Sequence, residues 1–304
     1  MPVSPVREAV RFASGDADCA AWYYPTRDGS CVVMAGGLGV TKEPGTDRFA
    51  RRFHEAGFGV LAFDHRNFGA SGGHDRQVMH LENQLDDWAA AIAFAASLPG
   101  VDPDRIAVWS FSLSGGQMFE VAARHPSLGA AIAQMPLADG RAAARAAMRH
   151  QTVPALVRTL GIALLDAGGA LLGRPPRLLP LTGEPGTPAA LTTPDGRISP
   201  SPLDPDGSYP DWEQTVAARM MLSVGTFRPG RAARDIECPL LLVVCDEDQS
   251  VLAAPALKVA AEAPHAELLR VPGGHYSPFL QSHETVVATE VDFLRRHLAP
   301  AGSH

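Results

Sequence analysis

Short apolar runs alternate with amphipathic stretches along most of this chain. Glu8–Ala13 and Cys19–Tyr24 flank Ser14-Gly15-Asp16 and predict two antiparallel strands. Cys31–Ala35, Val60–Phe63, Ile106–Trp109 and Ala130–Gln134 are brief, largely uncharged runs of the kind that form buried strands. Helical patterns lie between them: about Asp47 to Ala56, closed by Gly57; 80–98, with Leu81, Leu85, Trp88 and Ile92 on one face; and an Ala-rich stretch running to His125 before Pro126. Strands alternating with helices predict parallel pairing and a sheet covered on both faces.

The rhythm breaks between Pro136 and Asp235. An Arg/Ala-rich helical start (Arg141, Arg145, Arg149) leads into a Leu/Ala-rich stretch at 152–172, then a turn-rich tract at 174–210 with ten prolines. The expectation is a helical and irregular cap over 137–234, inserted after the sixth strand, with neither a second sheet nor a separate domain. For 182–208 a disordered loop is the competing reading. Residues 1–136 and 235–304 then form the core. In the second part the strand–helix rhythm returns with Pro239–Val244, an Ala-rich helix at 254–263, Glu267–Val271, and a last helix presenting Val287, Val291, Leu294 and Leu298.

Composition narrows the function classes. With 46% apolar residues in 304, the chain can bury a large core. A formal charge of −7 argues against nucleic acid and anionic membrane as partners. Four cysteines show no paired spacing and predict buried free thiols in a reducing compartment. The start, Met-Pro-Val-Ser-Pro-Val, has no apolar signal core, and no run of 18 uncharged apolar residues predicts a membrane span. A cytoplasmic protein is expected.

The chemistry centres on Ser110-Phe111-Ser112-Leu113-Ser114-Gly115-Gly116, which directly follows the Ile106–Trp109 strand and opens a helix. A strand, a serine flanked by small residues two positions either side, then a helix describes a sharp turn that lifts one hydroxyl to the strand tip. Ser112 is the candidate nucleophile. Leu113-Ser114-Gly115-Gly116-Gln117 also spells an ATPase signature, but the phosphate-binding loop it requires is absent from the sequence.

A serine hydroxyl needs a base, and the base an orienting acid. Leu240–Cys245 runs into Asp246-Glu247-Asp248, and Leu268–Val271 into Pro272-Gly273-Gly274-His275, both at strand C-termini, where open α/β sheets keep their sites. His275 is the candidate base and Asp248 the preferred acid, with Asp246 and Asp139 as alternatives. Backbone N–H groups of Leu113 and of Leu38, in Gly36-Gly37-Leu38-Gly39, are the candidate oxyanion donors. A nucleotide-loop reading of residues 37–42 lacks the third glycine. The other ten histidines show no metal-ligand spacing, so neither a metal nor a cofactor is expected.

These landmarks resemble the α/β-hydrolase superfamily over nearly the whole chain, nearest to its dienelactone-hydrolase-like bacterial serine hydrolases. Phe63-Asp64-His65-Arg66-Asn67-Phe68-Gly69-Ala70-Ser71-Gly72-Gly73 is similar to the stretch these enzymes carry after the fourth strand. The resemblance implies a mostly parallel eight-stranded sheet flanked by helices and a Ser112–His275–Asp248 triad. Two positions depart from the pattern: Gly36 stands where a histidine is usual, and Ser110 where glycine is usual. Arg66 is expected to pin its loop.

The expected function is a serine hydrolase cleaving an ester, thioester or lactone with an apolar acyl part, through an acyl-enzyme on Ser112. Its partner is a small acyl substrate, and the apolar cap surface would support a homodimer. Activity is expected to rise through an apparent pKa of roughly 6–7 as His275 becomes neutral. The alternatives are a biosynthetic enzyme using the same residues for acyl transfer, cyclisation or carbon–carbon cleavage, and a non-catalytic binding protein. Haloalkane and epoxide chemistry would need a carboxylate at position 112.

Overall fold

A computed structural model describes residues 7–300; the reading that residues 1–6 hold no apolar signal core falls outside them. Eight strands form one sheet: β1 (Glu8–Ser14), β2 (Ala17–Tyr24), β3 (Cys31–Ala35), β4 (Gly59–Phe63), β5 (Ile106–Phe111), β6 (Ala130–Gln134), and further along the chain β9 (Leu240–Cys245) and β10 (Ala266–Val271). Their order is β1-β2-β4-β3-β5-β6-β9-β10. Only β2 runs antiparallel to its neighbours, pairing Phe12 with Cys19 and Ala21 with Phe63. The expected fold is therefore present.

Strand alternation divides the core into two layers. Val32 and Met34 face one way and pack with Phe49 and Phe53 of α1 (Thr46–Glu55) and Phe293 and Leu294 of α8 (His283–His297). Cys31, Val33 and Ala35 face the other way, against Trp88 of α2 (Leu81–Ser97), Phe119 of α3 (Ser112–Arg124) and Val259 of α7 (Ala253–Glu262). Every residue of β3, β4, β5, β6 and β9 is buried. Each large apolar side chain so removed from water contributes about 1.5–3 kcal/mol before the entropy of ordering is counted. All four cysteines are buried and free.

Between β6 and β9 the chain forms α4 (Gly140–Ala147), α5 (Val153–Ala170), β7 (Leu178–Pro180), β8 (Thr215–Ala217) and the single turn α6 (Met221–Val224). The expectation of no second sheet is corrected here. β7 and β8 pair antiparallel in a two-stranded ladder, Leu179 opposite Val216. Strands of three residues are too short to carry a legible alternation, and their partners lie far apart in sequence. The proline-rich tract is tied down by backbone bonds, among them Leu191 N to Leu181 O at 2.8 Å and Ala217 N to Gln77 O at 2.8 Å.

Among the described residues α5 alone is long and apolar enough to cross a membrane by length and composition, with mean hydropathy 1.3 over its 18 residues. It carries Arg158 and Asp166. The Asp166 carboxylate is buried and accepts bonds from the backbone N–H of Arg177 (2.7 Å) and from the Arg219 guanidinium (2.9 and 3.0 Å), which ties α5 into the fold.

Candidate active site

β5 ends at Phe111 and α3 begins at Ser112 with no loop between them. That junction forces Ser112 to φ 58°, a left-handed conformation that costs a non-glycine residue of order 1–3 kcal/mol. Close packing of α3 on the sheet holds it there. A Cβ on Gly115 would sit 2.8 Å from the carbonyl oxygen of Gln134, and one on Gly116 would collide with the carbonyl of Leu137. Ser110 is buried and donates to Ala35 O at 2.8 Å, so its hydroxyl joins β5 to the end of β3. This accounts for a serine where glycine is usual.

The three residues singled out from sequence converge. His275 Nδ1 lies 2.6 Å from Asp248 Oδ2, and His275 Nε2 lies 3.0 Å from Ser112 Oγ. A carboxylate only accepts, so Nδ1 carries the proton and Nε2 is left to accept from the Ser112 hydroxyl. Asp248 is itself fixed: its other oxygen accepts from the N–H groups of Ser250 (2.8 Å) and Val251 (2.9 Å). Burial works to lower the His275 pKa. The charge and hydrogen bond of Asp248, with a further contribution from Asp195, outweigh burial and leave the pKa raised.

The alternative acids have other partners. Asp246 pairs with the exposed Arg270 at 2.7 Å. Asp139 caps α4 through Ala142 N at 3.0 Å and pairs with Arg228 at 3.0 Å. Arg66 binds the buried Asp87 at 2.7 Å and Ser14 at 2.8 Å, in line with a pinning role.

The loop after β3 is too tight for the usual histidine. A Cβ at Gly36 would stand 2.5 Å from the carbonyl oxygen of Val40, and one at Gly37 2.9 Å from the Phe111 ring. Trp212 fastens the same loop by donating to Gly39 O at 2.9 Å. The N–H of Leu38 meets no acceptor among the described residues. That of Leu113, in the first turn of α3, has none within its helix. Leu38, Leu113 and Ser112 together line one apolar cavity of about 130 Å³, walled by Ala147 of α4, Met220 and Met221. Leu38 and Leu191 also border a more polar cavity of about 250 Å³ that reaches Arg197, Glu184 and Tyr276.

Sequence reasoning missed Thr193 and Asp195. Thr193 Oγ1 lies 2.8 Å from Ser250 Oγ with both buried, and Asp195 Oδ2 accepts from Gln249 N at 2.8 Å. Both residues lie in the proline-rich tract, where no periodicity marks a contact. The nearest signal is the carboxylate of Asp195 in a stretch otherwise rich in Thr, Pro and Ser.

Comparison with known proteins agrees with this architecture. Residues 32–289 match the model of the alpha/beta hydrolase family. The quorum-quenching protein AidA of Acinetobacter baumannii is 37% identical over 292 residues, 94% of each chain. A polyketide transferase of a Penicillium species is 25% identical over 301 residues, 96% of this chain and 97% of its own. The crystal structure of the alpha/beta hydrolase GrgF from Penicillium superposes with a TM-score of 0.79 at 23% identity, covering 97% of this chain and all of that one. At that identity the superposition speaks to fold alone.

Proposed function

The chain belongs to the alpha/beta hydrolase family, and from that membership we propose that it is a cofactor-independent serine hydrolase of esters, thioesters or lactones with an apolar acyl part. The observation that carries this reading is the unbroken hydrogen-bond chain from Asp248 through His275 to a strained Ser112 at the edge of an apolar cavity.

In this mechanism Ser112 Oγ attacks the carbonyl carbon while its proton passes to His275 Nε2. The N–H groups of Leu38 and Leu113 hold the oxyanion, a contribution worth about 10²–10³ in turnover for each donor. Collapse expels the leaving group, which takes the proton from His275. Water then attacks the acyl-enzyme as His275 removes its proton, and the acid departs with the Ser112 hydroxyl restored. Asp248 keeps His275 in the required tautomer and stabilises its cationic form. The acyl part occupies the 130 Å³ cavity and the leaving group faces the polar one. Residues 137–234 act as a cap that supplies much of both walls, on a core of 1–136 and 235–304. The buried free thiols are in keeping with a cytoplasmic enzyme.

The test is intact mass after exposure to a fluorophosphonate, paired with turnover of short p-nitrophenyl esters. One adduct on the wild-type protein, none on Ser112→Ala, and ester turnover by the wild type alone are expected. An unlabelled wild type that turns over no ester would sink the proposal. A second reading, acyl transfer, draws on the polyketide transferase relative. It predicts products without ¹⁸O when the reaction runs in H₂¹⁸O with a nucleophilic acceptor present.

A further inference from the structure

Helix α5 buries one face in the fold and leaves a second, apolar face uncovered. Its inner face buries Ala155, Thr159, Ala163 and Asp166, packed toward Leu179 and Ala218. Its outer face carries Val153, Val157, Leu160, Leu164 and, just past the helix end, Leu171, with exposures from 52% at Leu160 to 88% at Leu171. With Ala167 these positions are spaced 4, 3, 4, 3 and 4 residues apart. That is the 3.5-residue period of a seam between paired helices, whereas a helix lying on its own core needs only one apolar stripe. Leu165 and Leu172 widen the exposed strip.

We propose that this face of α5 pairs with the same face of a second copy of the chain, giving a two-fold homodimer. A two-fold contact requires only a self-complementary patch, and a helical seam of this spacing is one. The five exposed seam side chains, each more than half exposed, offer on the order of 600 Å² per protomer, enough for an interface at the small end of the specific range. Arg158 lies on the flank of α5 with Leu165, seven residues on, outside the 4-3-4-3 seam, so helix pairing leaves its guanidinium in water.

The pairing reaches the candidate active site through one layer of side chains. α5 packs against α6 and the helical turn before it, and Met220 and Met221 of that segment wall the apolar cavity beside Ser112. A second copy would stiffen the outer support of that wall. The proposal does not depend on the reaction, so a failed hydrolase assay leaves it standing.

Sedimentation velocity of the full chain over micromolar concentrations tests it, beside Leu160→Glu/Leu164→Glu and, as an independent variant one turn away, Val157→Lys. The wild type should sediment at twice 32.1 kDa. Both variants should fall to the single-chain mass, with association weakened at least ~100-fold, and with far-UV circular dichroism and melting of folded protein. A wild type that stays at the single-chain mass would overturn the proposal, as would a dimer that survives in the folded variants. A single-chain wild type that pellets with phosphatidylglycerol-containing vesicles, and not with pure phosphatidylcholine, would assign the face to anionic lipid instead.

Discussion

Asp195 Oδ2 accepts a hydrogen bond from the backbone N–H of Gln249 at 2.8 Å, joining the segment between β6 and β9 to the loop that bears Asp248. The same carboxylate abuts the backbone of Gly274 and adds to the negative field that raises the His275 pKa. The charged groups acting on His275 are thus Asp248 and Asp195, from two different segments.

The sign of this effect gives a first prediction. His275 must be neutral to accept the Ser112 proton, so a raised pKa moves the acid limb of kcat/KM upward from the 6–7 expected of an ordinary histidine. Asp195→Asn removes one of the two charges and should shift that limb to lower pH, while Asp195→Glu keeps it in place. A pH–rate profile that superposes on the wild type would show that Asp195 holds the loop and has no bearing on the base.

Asp248→Asn keeps the size of the side chain and much of the cap on Ser250 and Val251, but favours the wrong tautomer of His275. A fall in kcat of about 10⁴ is expected, with fluorophosphonate labelling slowed in parallel. Asp246→Asn and Asp139→Asn, whose carboxylates bind Arg270 and Arg228, should each leave kcat within a few-fold of wild type. Steady-state kinetics on one ester series settles all three.

Ala147 walls the apolar cavity. Ala147→Leu should shorten the accepted acyl chain, since each methylene excluded from such a pocket costs about 1–3 kcal/mol, or 10–200-fold in kcat/KM. Acetyl ester turnover should change little. Equal losses across acetyl, butyryl and hexanoyl esters would place the acyl group elsewhere.

Glu290 on α8 is fully buried, with one oxygen accepting from Trp109 Nε1 at 3.2 Å and the other among the unpartnered buried atoms. Burial raises its pKa well above the usual carboxylate value, against the lowering effects of Trp109 and Gln134. The folded state therefore binds a proton that the unfolded state releases, and stability declines as pH rises past the unfolded value near 4.5. Glu290→Gln removes that loss. Its melting temperature should exceed the wild type by a margin that widens from pH 5 to pH 8, measured by calorimetry.

By itself the sequence determined most of the sheet. Cys31–Ala35 and Ala130–Gln134 form strands at the limits read from the sequence, because a strand buried on both faces is a near-continuous apolar run. The strand–serine–helix junction at 111–112 and the glycines at 115 and 116 were equally legible, since so tight a turn leaves few residue types. The acid was legible only as a preference for Asp248. Asp246, Asp248 and Asp139 all sit at strand ends, and only the fold shows that Asp248 alone reaches His275 while the others bind arginines. Tertiary structure also decided the 137–234 segment. Its ladder pairs residues some forty positions apart, and Thr193 and Asp195 bond to a loop more than fifty positions away. Local periodicity records which face of an element is buried; it carries no record of which distant polar group a buried hydroxyl or carboxylate will meet.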